Sequence, residues 1–213
     1  EKLEQEVNQL RSDYLALANQ LSQQRQAAAS QLEAEVDSQL ALLGMEKSQF
    51  KLSFARLDKP QASGLDQLEF LIAPNPGQAA KPLVRIASGG ELSRISLAIQ
   101  VVTAQTSSIP TLIFDEVDVG ISGATAEIVG RLLKQLAKRG QILCVTHLPQ
   151  VAAQGQQHLH IHKTVEDETT LSHMELLNKK GRVQELARML GGVNLSASTL
   201  AHAEEMLELA LKS

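Results

Sequence analysis

The chain has no tryptophan, one tyrosine, four phenylalanines and a single cysteine in 213 residues. So few rings leave little for stacking the bases of a single nucleic-acid strand. One thiol, Cys144, permits no intrachain disulfide, the pattern of a reducing compartment. There is no apolar run near twenty residues and no leader-like start, which sets the expectation of a cytoplasmic location and no membrane partner. Twenty Lys and Arg stand against 24 Asp and Glu, and the resulting net charge of −4 makes no overall case for nucleic acid. The most informative absence is a dipeptide. Gly-Lys occurs nowhere, so these residues contain no Gly-x-x-x-x-Gly-Lys-Ser/Thr phosphate loop.

What is present belongs beside such a loop. Ser88, followed three residues later by Glu91 and then by Leu92, Ile95, Leu97, Ile99 and Val102, is a capping box opening a helix. Capping alone does not require Gly89 and Gly90 in the first turn, where each glycine costs about 1 kcal/mol against alanine. Bare N–H groups at a helix start also suit a phosphate, so both readings stand. Residues 111–114, Thr-Leu-Ile-Phe, read as a buried parallel strand that ends in Asp115 and Glu116. Ligands bind at that end of open α/β sheets. Asp115 suits a magnesium ion, directly or through water, and Glu116 suits polarising a water molecule. The plainer alternative is a strand running out into a polar turn.

These motifs resemble those of ABC-type ATPases in their SMC-like form. Ser88-Gly89-Gly90-Glu91-Leu92-Ser93-Arg94 is similar to the signature motif, and residues 111–116 are similar to the Walker B strand. Asp118-Val119-Gly120-Ile121-Ser122-Gly123 resembles the D-loop, and His147, after the apolar strand 142–146, stands where that family has its switch histidine. Together with Ala73-Pro74-Asn75-Pro76-Gly77 and residues 145–152, the pattern resembles the bacterial SMC-like branch of double-strand break repair, from about residue 50 to residue 192.

The resemblance implies an α/β fold: the C-terminal half of an ABC/SMC-type ATPase head, a P-loop NTPase-like sheet with flanking helices, preceded by a coiled-coil helix. It implies ATP and Mg²⁺, with Asp115 at the metal, Glu116 positioning water and His147 sensing the γ-phosphate. Ser88, Gly89, Gly90 and Glu91 would close the nucleotide of an opposing head, and Asp118 would couple the two sites across that interface. The implied partners are the chain's own N-terminal head half carrying the phosphate loop, a coiled-coil partner helix, a second head in a homodimer, and DNA. The implied function is ATP hydrolysis in DNA repair and recombination, nucleoid-associated, with these residues inactive on their own. Two other readings are a nucleotide-binding subunit of a membrane transporter and a non-enzymatic coiled-coil assembly module.

Periodicity supports an arm independently. Leu3, Val7, Leu10, Tyr14, Leu17 and Leu21 alternate steps of four and three, a heptad seam. After Gln24 the phase slips and resumes at Leu32, Val36, Leu40 and Leu43, which fits local unwinding or the approach to a globular part. The expected division is an arm over residues 1–43 and a lobe over 44–213, cut from a longer protein whose other part supplies the partner helix. Residues 49–56 and 67–72 read as strands around a turn-rich stretch at 58–66. Residues 157–163 and 170–176 read as a second hairpin around Glu166-Asp167-Glu168, and residues 183–190, stopped by Gly191-Gly192, and 199–211 read as helices. Ser122 is a candidate cap for a helix reaching Gly140.

Two surface patterns invite a ligand. Arg131, Lys134 and Lys138 share a helix face beside Arg139, and Lys179, Lys180 and Arg182 form a second basic group; each reads as a solvated face or a contact to DNA phosphate. His158, His160 and His162 alternate on an expected strand, which suits an exposed face better than zinc, because same-face neighbours lie nearly 7 Å apart and no cysteine is near.

Overall fold

The computed structural model describes residues 1–86, 88–104, 109–166, 169–191 and 195–212, which fall into two compact units, Glu1–Ala87 and Ser88–Ser213. In the first unit, α1 (Lys2–Leu42) is one uninterrupted helix of 41 residues, about 60 Å long at 1.5 Å per residue. The slip in the heptad is therefore not an unwinding. The same surface meets the helix on both sides of the slip: Ala18, Ala29, Val36 and Leu40 are buried and lie on one helix face, at spacings of eleven, seven and four.

That face rests on an antiparallel hairpin, β1 (Gln49–Gln61) and β2 (Gly64–Ala73), which brings Phe50, Leu65 and Ile72 into the core. Polar rungs fix the helix along the hairpin. Tyr14 donates its hydroxyl to the Gln61 carbonyl at 2.9 Å, while Ser22 and Arg25 bind the Asp66 carboxylate at 2.8 and 3.2 Å. Glu33 accepts from the Leu52 N–H and Asp37 from the Phe50 N–H, both at 2.7 Å. Beyond Tyr14 nothing in this unit faces the helix, and Leu3, Val7, Leu10 and Leu17 are exposed. A short strand, β3 (Lys81–Pro82), and a 3₁₀ turn at Leu83–Arg85 complete the unit.

The turn expected over residues 58–66 is a correction. Only Ala62 and Ser63 turn, between the paired residues Gln61 and Gly64, and β1 runs on through Asp58 and Pro60. The ladder shifts register between Arg56 and Gln61, and this interruption accommodates a proline that cannot donate to a regular pairing.

The second unit begins with α2 (Gly89–Thr103) and continues through β4 (Thr111–Phe114), α3 (Gly123–Leu136) and β5 (Gln141–Cys144). The two strands pair in parallel, Thr111 opposite Gln141 through Phe114 opposite Cys144. Their inward side chains are covered, with Phe114 buried, but the opposite face is bare. Ile113 is 70 % exposed, and Leu143 and Val145 are exposed beside it. The strand read as buried throughout is thus buried on one face only. Ser122 occupies the cap position of α3, although its side chain makes no cap hydrogen bond, and the helix ends at Leu136 rather than near Gly140.

A short helix unseen in the sequence, α4 (Pro149–Gln154), opens with proline in its first turn and passes close to α3 at Gly130, where a Cβ would lie 2.7 Å from Gln154 Cγ. The hairpin β6 (Leu159–Glu166) and β7 (Thr169–Leu176), then α5 (Lys179–Gly191) and α6 (Ala197–Lys212), finish the chain. Asp167, Glu168 and Gly192 lie outside the described residues. Ala152, Ala153, Leu186, Ala187, Ala203, Leu207 and Ala210 form the helical core, where small side chains let three helices approach closely.

Candidate nucleotide-facing site

The expected site residues collect at the carboxyl ends of β4 and β5. Ser88 caps α2, its Oγ accepting from the Glu91 N–H at 3.3 Å. The first turn of α2 lies directly against the loop that leaves β4. Ser93 donates its hydroxyl to the Asp115 carbonyl at 2.6 Å, and Arg94, almost fully buried, donates through Nη1 to the Val119 carbonyl at 2.6 Å. Burial holds the Arg94 guanidinium below its ordinary pKa, with Glu91 acting the other way.

This packing gives Gly90 an intrachain reason, since it meets backbone, whereas at Gly89 only the movable end of the Glu116 side chain stands in the way. A Cβ on Gly89 would stand 2.2 Å from a Glu116 carboxylate oxygen, and one on Gly90 would stand 3.1 Å from both Cβ and the carbonyl oxygen of Val119. Gly90 is buried by that approach, whereas Ser88 and Gly89 stay exposed at the positive end of the helix. Glu116 has φ of 57°, a left-handed conformation that costs about 1 kcal/mol or more for a residue with a side chain. Asp115 and Glu116 are both exposed.

Asp118 differs from its neighbours. It is 2 % exposed, and one of its carboxylate oxygens accepts from both the Thr146 hydroxyl and the His147 N–H, the latter at 3.2 Å. The same oxygen lies 3.5 Å from His147 Nδ1. Thr146 Oγ1 in turn accepts from the Leu148 N–H at 3.0 Å. The acidic loop after β4 and the turn after β5 are therefore tied together by one buried carboxylate, and the His147 ring is left largely exposed. Between them, burial and then the charges of Asp118 and Asp115 push the Cys144 thiol up to about 12, so it stays protonated and inert at neutral pH.

Asp115 is an exposed carboxylate at a strand end, which fits a magnesium ion held by one or two carboxylates, waters and phosphate oxygens. Among the described residues no group of three or more His, Cys, Asp or Glu side chains is placed to hold a metal. The expected histidine strand face is not uniformly exposed: His158 and His160 are half-buried. His158 precedes β6 instead of lying on it, and His160, His162 and His173 stack, with ring centroids 5.4 and 5.3 Å apart.

No protein-family model matches the chain. The DNA repair protein RecN of Haemophilus influenzae is 50 % identical over 195 residues, which cover 91 % of this chain and 35 % of that protein. RecN of Vibrio cholerae is 47 % identical over 207 residues, covering 96 % and 37 %. Over the stretch it spans, the chain is similar to RecN. It spans between a third and two fifths of the length of these RecN relatives. Among solved structures, the Smc head domain with a coiled coil and joint from Pyrococcus yayanosii matches with a TM-score of 0.54 at 21 % identity, covering 76 % of this chain and 29 % of that one. The Pyrococcus furiosus Smc head bound to the C-terminal domain of ScpA gives 0.50 at 22 %, covering 78 % and 39 %. At such identity they establish the fold alone, that of Smc head domains.

Within this RecN-like stretch, three residues were not given roles by the sequence. Ser93 and Arg94 stand one turn into the signature helix and fasten it to the β4 loop; Thr146 completes the Asp118 bracket. Ser93 and Arg94 lie inside the motif already singled out, and Thr146 directly precedes His147, which was the available signal.

Proposed function

We propose that this chain is the C-terminal lobe of a RecN-type ATPase head that acts in DNA double-strand break repair. The observation that carries the proposal is the convergence of the α2 start, the Asp115-Glu116 strand end and the Asp118–Thr146–His147 bracket at one end of β4 and β5. These residues contain no Gly-x-x-x-x-Gly-Lys-Ser/Thr motif, and in this reading the phosphate loop is carried by another lobe of the same head. Asp115 would hold magnesium, which would neutralise developing charge on the phosphates. Glu116, exposed and next to the helix start, orients the attacking water. His147 reaches the terminal phosphate from the end of β5.

Ser88 and Gly89 present bare donors, and with Gly90 and Glu91 they close over a nucleotide carried by a second head, so engagement and hydrolysis require two copies. Asp118 has its carboxylate committed within the chain, so its coupling runs through the His147 turn before it reaches any neighbour. Engagement and release of the heads would move the arms on DNA.

The test is made in the complete head. Glu116→Gln keeps size and hydrogen bonding but removes the base; turnover is expected to fall roughly 10²-fold or more while ATP-bound heads persist as a pair. Unchanged turnover would remove Glu116 from the chemical step, and lost ATP binding would move it to the metal shell. Ser88→Arg places a cation at the positive helix end. It should leave binding to one head intact and abolish ATP-dependent association by light scattering; normal association would refute closure in trans.

A further inference from the structure

The nucleotide-facing residues occupy one end of the parallel strands, and a second charged surface lies at the other end of α3. Arg131, Lys134, Gln135, Lys138 and Arg139 line a basin of about 700 Å³ there. Two of the cations have local tasks. Lys134 donates to the Ala210 carbonyl in α6, and Arg139 donates to the Ala104 carbonyl after α2 at 3.4 Å, so both reach the carbonyl-rich ends of neighbouring helices. Neutral carbonyls do not cancel charge. Among the described residues the one ion pair in the group is Arg131 with Glu127, a turn earlier on the same helix. Four cations against one carboxylate leave the basin strongly positive in a chain whose net charge is −4.

We infer that this basin docks the phosphate backbone of duplex DNA. None of the five residues is apolar or aromatic, so a protein partner lacks the anchor that carries binding energy at such interfaces. Polar, positively charged and without rings is the character of a surface that holds nucleic-acid backbone and reads no bases. The group extends about 10 Å along α3 and the turn after it, a length of duplex that carries roughly six phosphates. It lies a helix length from Asp115 and Glu116, so DNA here leaves the nucleotide face free. The inference rests on the DNA-acting reading given above and adds the place of contact.

Arg131 and Lys138 are the residues to change, because neither donates to a carbonyl of another helix. In the complete protein, Arg131→Gln with Lys138→Gln is titrated with a labelled random-sequence duplex from 50 to 300 mM salt. Each phosphate contact contributes about 0.9 to the slope of log affinity against log salt. The slope should become shallower by about 2, and affinity at 0.15 M should fall roughly 20- to 30-fold. Turnover without DNA and the thermal midpoint should match the parent, and Lys138→Arg should retain binding. Parent and variant binding duplex with the same slope and affinity would overturn the docking site while leaving the ATPase reading intact. A parent that binds no duplex at 50 mM salt would overturn the docking site and the DNA-acting reading together. A variant that keeps duplex binding but loses a poly-glutamate peptide would reassign the basin to an acidic protein.

Discussion

The β1–β2 and β4–β5 pairs are each covered on one face, yet the uncovered face of the first is polar, with Lys51, Gln67 and Glu69 in water, and that of the second is apolar. The antiparallel pair is closed by a short turn and roofed by α1 from the same stretch of sequence, so Phe50 and Ile72 are buried. The parallel pair is joined through α3 and has cover on one face, leaving Ile113, Leu143 and Val145 in water. Parallel strands occur almost only where both faces are covered. The first unit is thus built from neighbours in sequence, while the second is built to receive cover from elsewhere. In the proposed function that cover is the lobe with the phosphate loop.

Truncation separates the two regions most sharply. Phe50→Ala should cost about 3–5 kcal/mol in this chain, the range for emptying a buried aromatic site. Ile113→Ala, applied to an apolar residue of the bare face, should stay within about 0.5 kcal/mol. Urea unfolding measures both, and a large loss at Ile113 would show that the face is covered within the chain. In the complete head the Ile113 change should become costly, because burial then has a partner to lose.

Asp118→Ala should cost about 1–2 kcal/mol, since it strands the Thr146 hydroxyl and the His147 N–H in half-buried positions. Faster amide exchange at His147 with unchanged exchange in the β1–β2 hairpin would confine the effect to the end of the parallel pair. Equal acceleration in both regions would mean the bracket is not local.

The smallest effect concerns acid. Glu185 accepts two hydrogen bonds from Arg188, at 2.8 and 2.6 Å, and this pairing holds its carboxyl below the ordinary value of 4.5 despite opposing burial. Its folded pKa is depressed, so the contribution is present at neutral pH and disappears as pH falls through and below 4.5. Glu185→Gln should flatten the acid limb of stability slightly, read from thermal midpoints between pH 3 and 7. An unchanged limb would assign that limb to other carboxylates.

The site was more legible than the sheet. Ser88 and Glu91 announced a helix start through capping chemistry, which is local and survives any tertiary setting. Asp115 and Glu116 announced a strand end for the same kind of reason. Asp118 could be read only as part of a loop, because its burial depends on Thr146, 28 residues away. The hairpin turn was misplaced because Asp58 and Pro60 read as punctuation, whereas a register shift absorbs them within β1. Bare and buried apolar faces look alike in a sequence: Ile113 and Phe114 are adjacent and equally apolar, and only the partner elements decide which one is covered.

One consequence of the α1 rungs is mechanical. Contacts spaced from Asp37 down to Tyr14 make the hairpin a splint, and a helix bends where its splint stops. The fulcrum of the arm is therefore near Tyr14, about 40 Å from the base of α1 at 1.5 Å per residue. From its base to Tyr14 the helix and hairpin form one stiff lever, and Leu3, Val7 and Leu10 lie beyond its end.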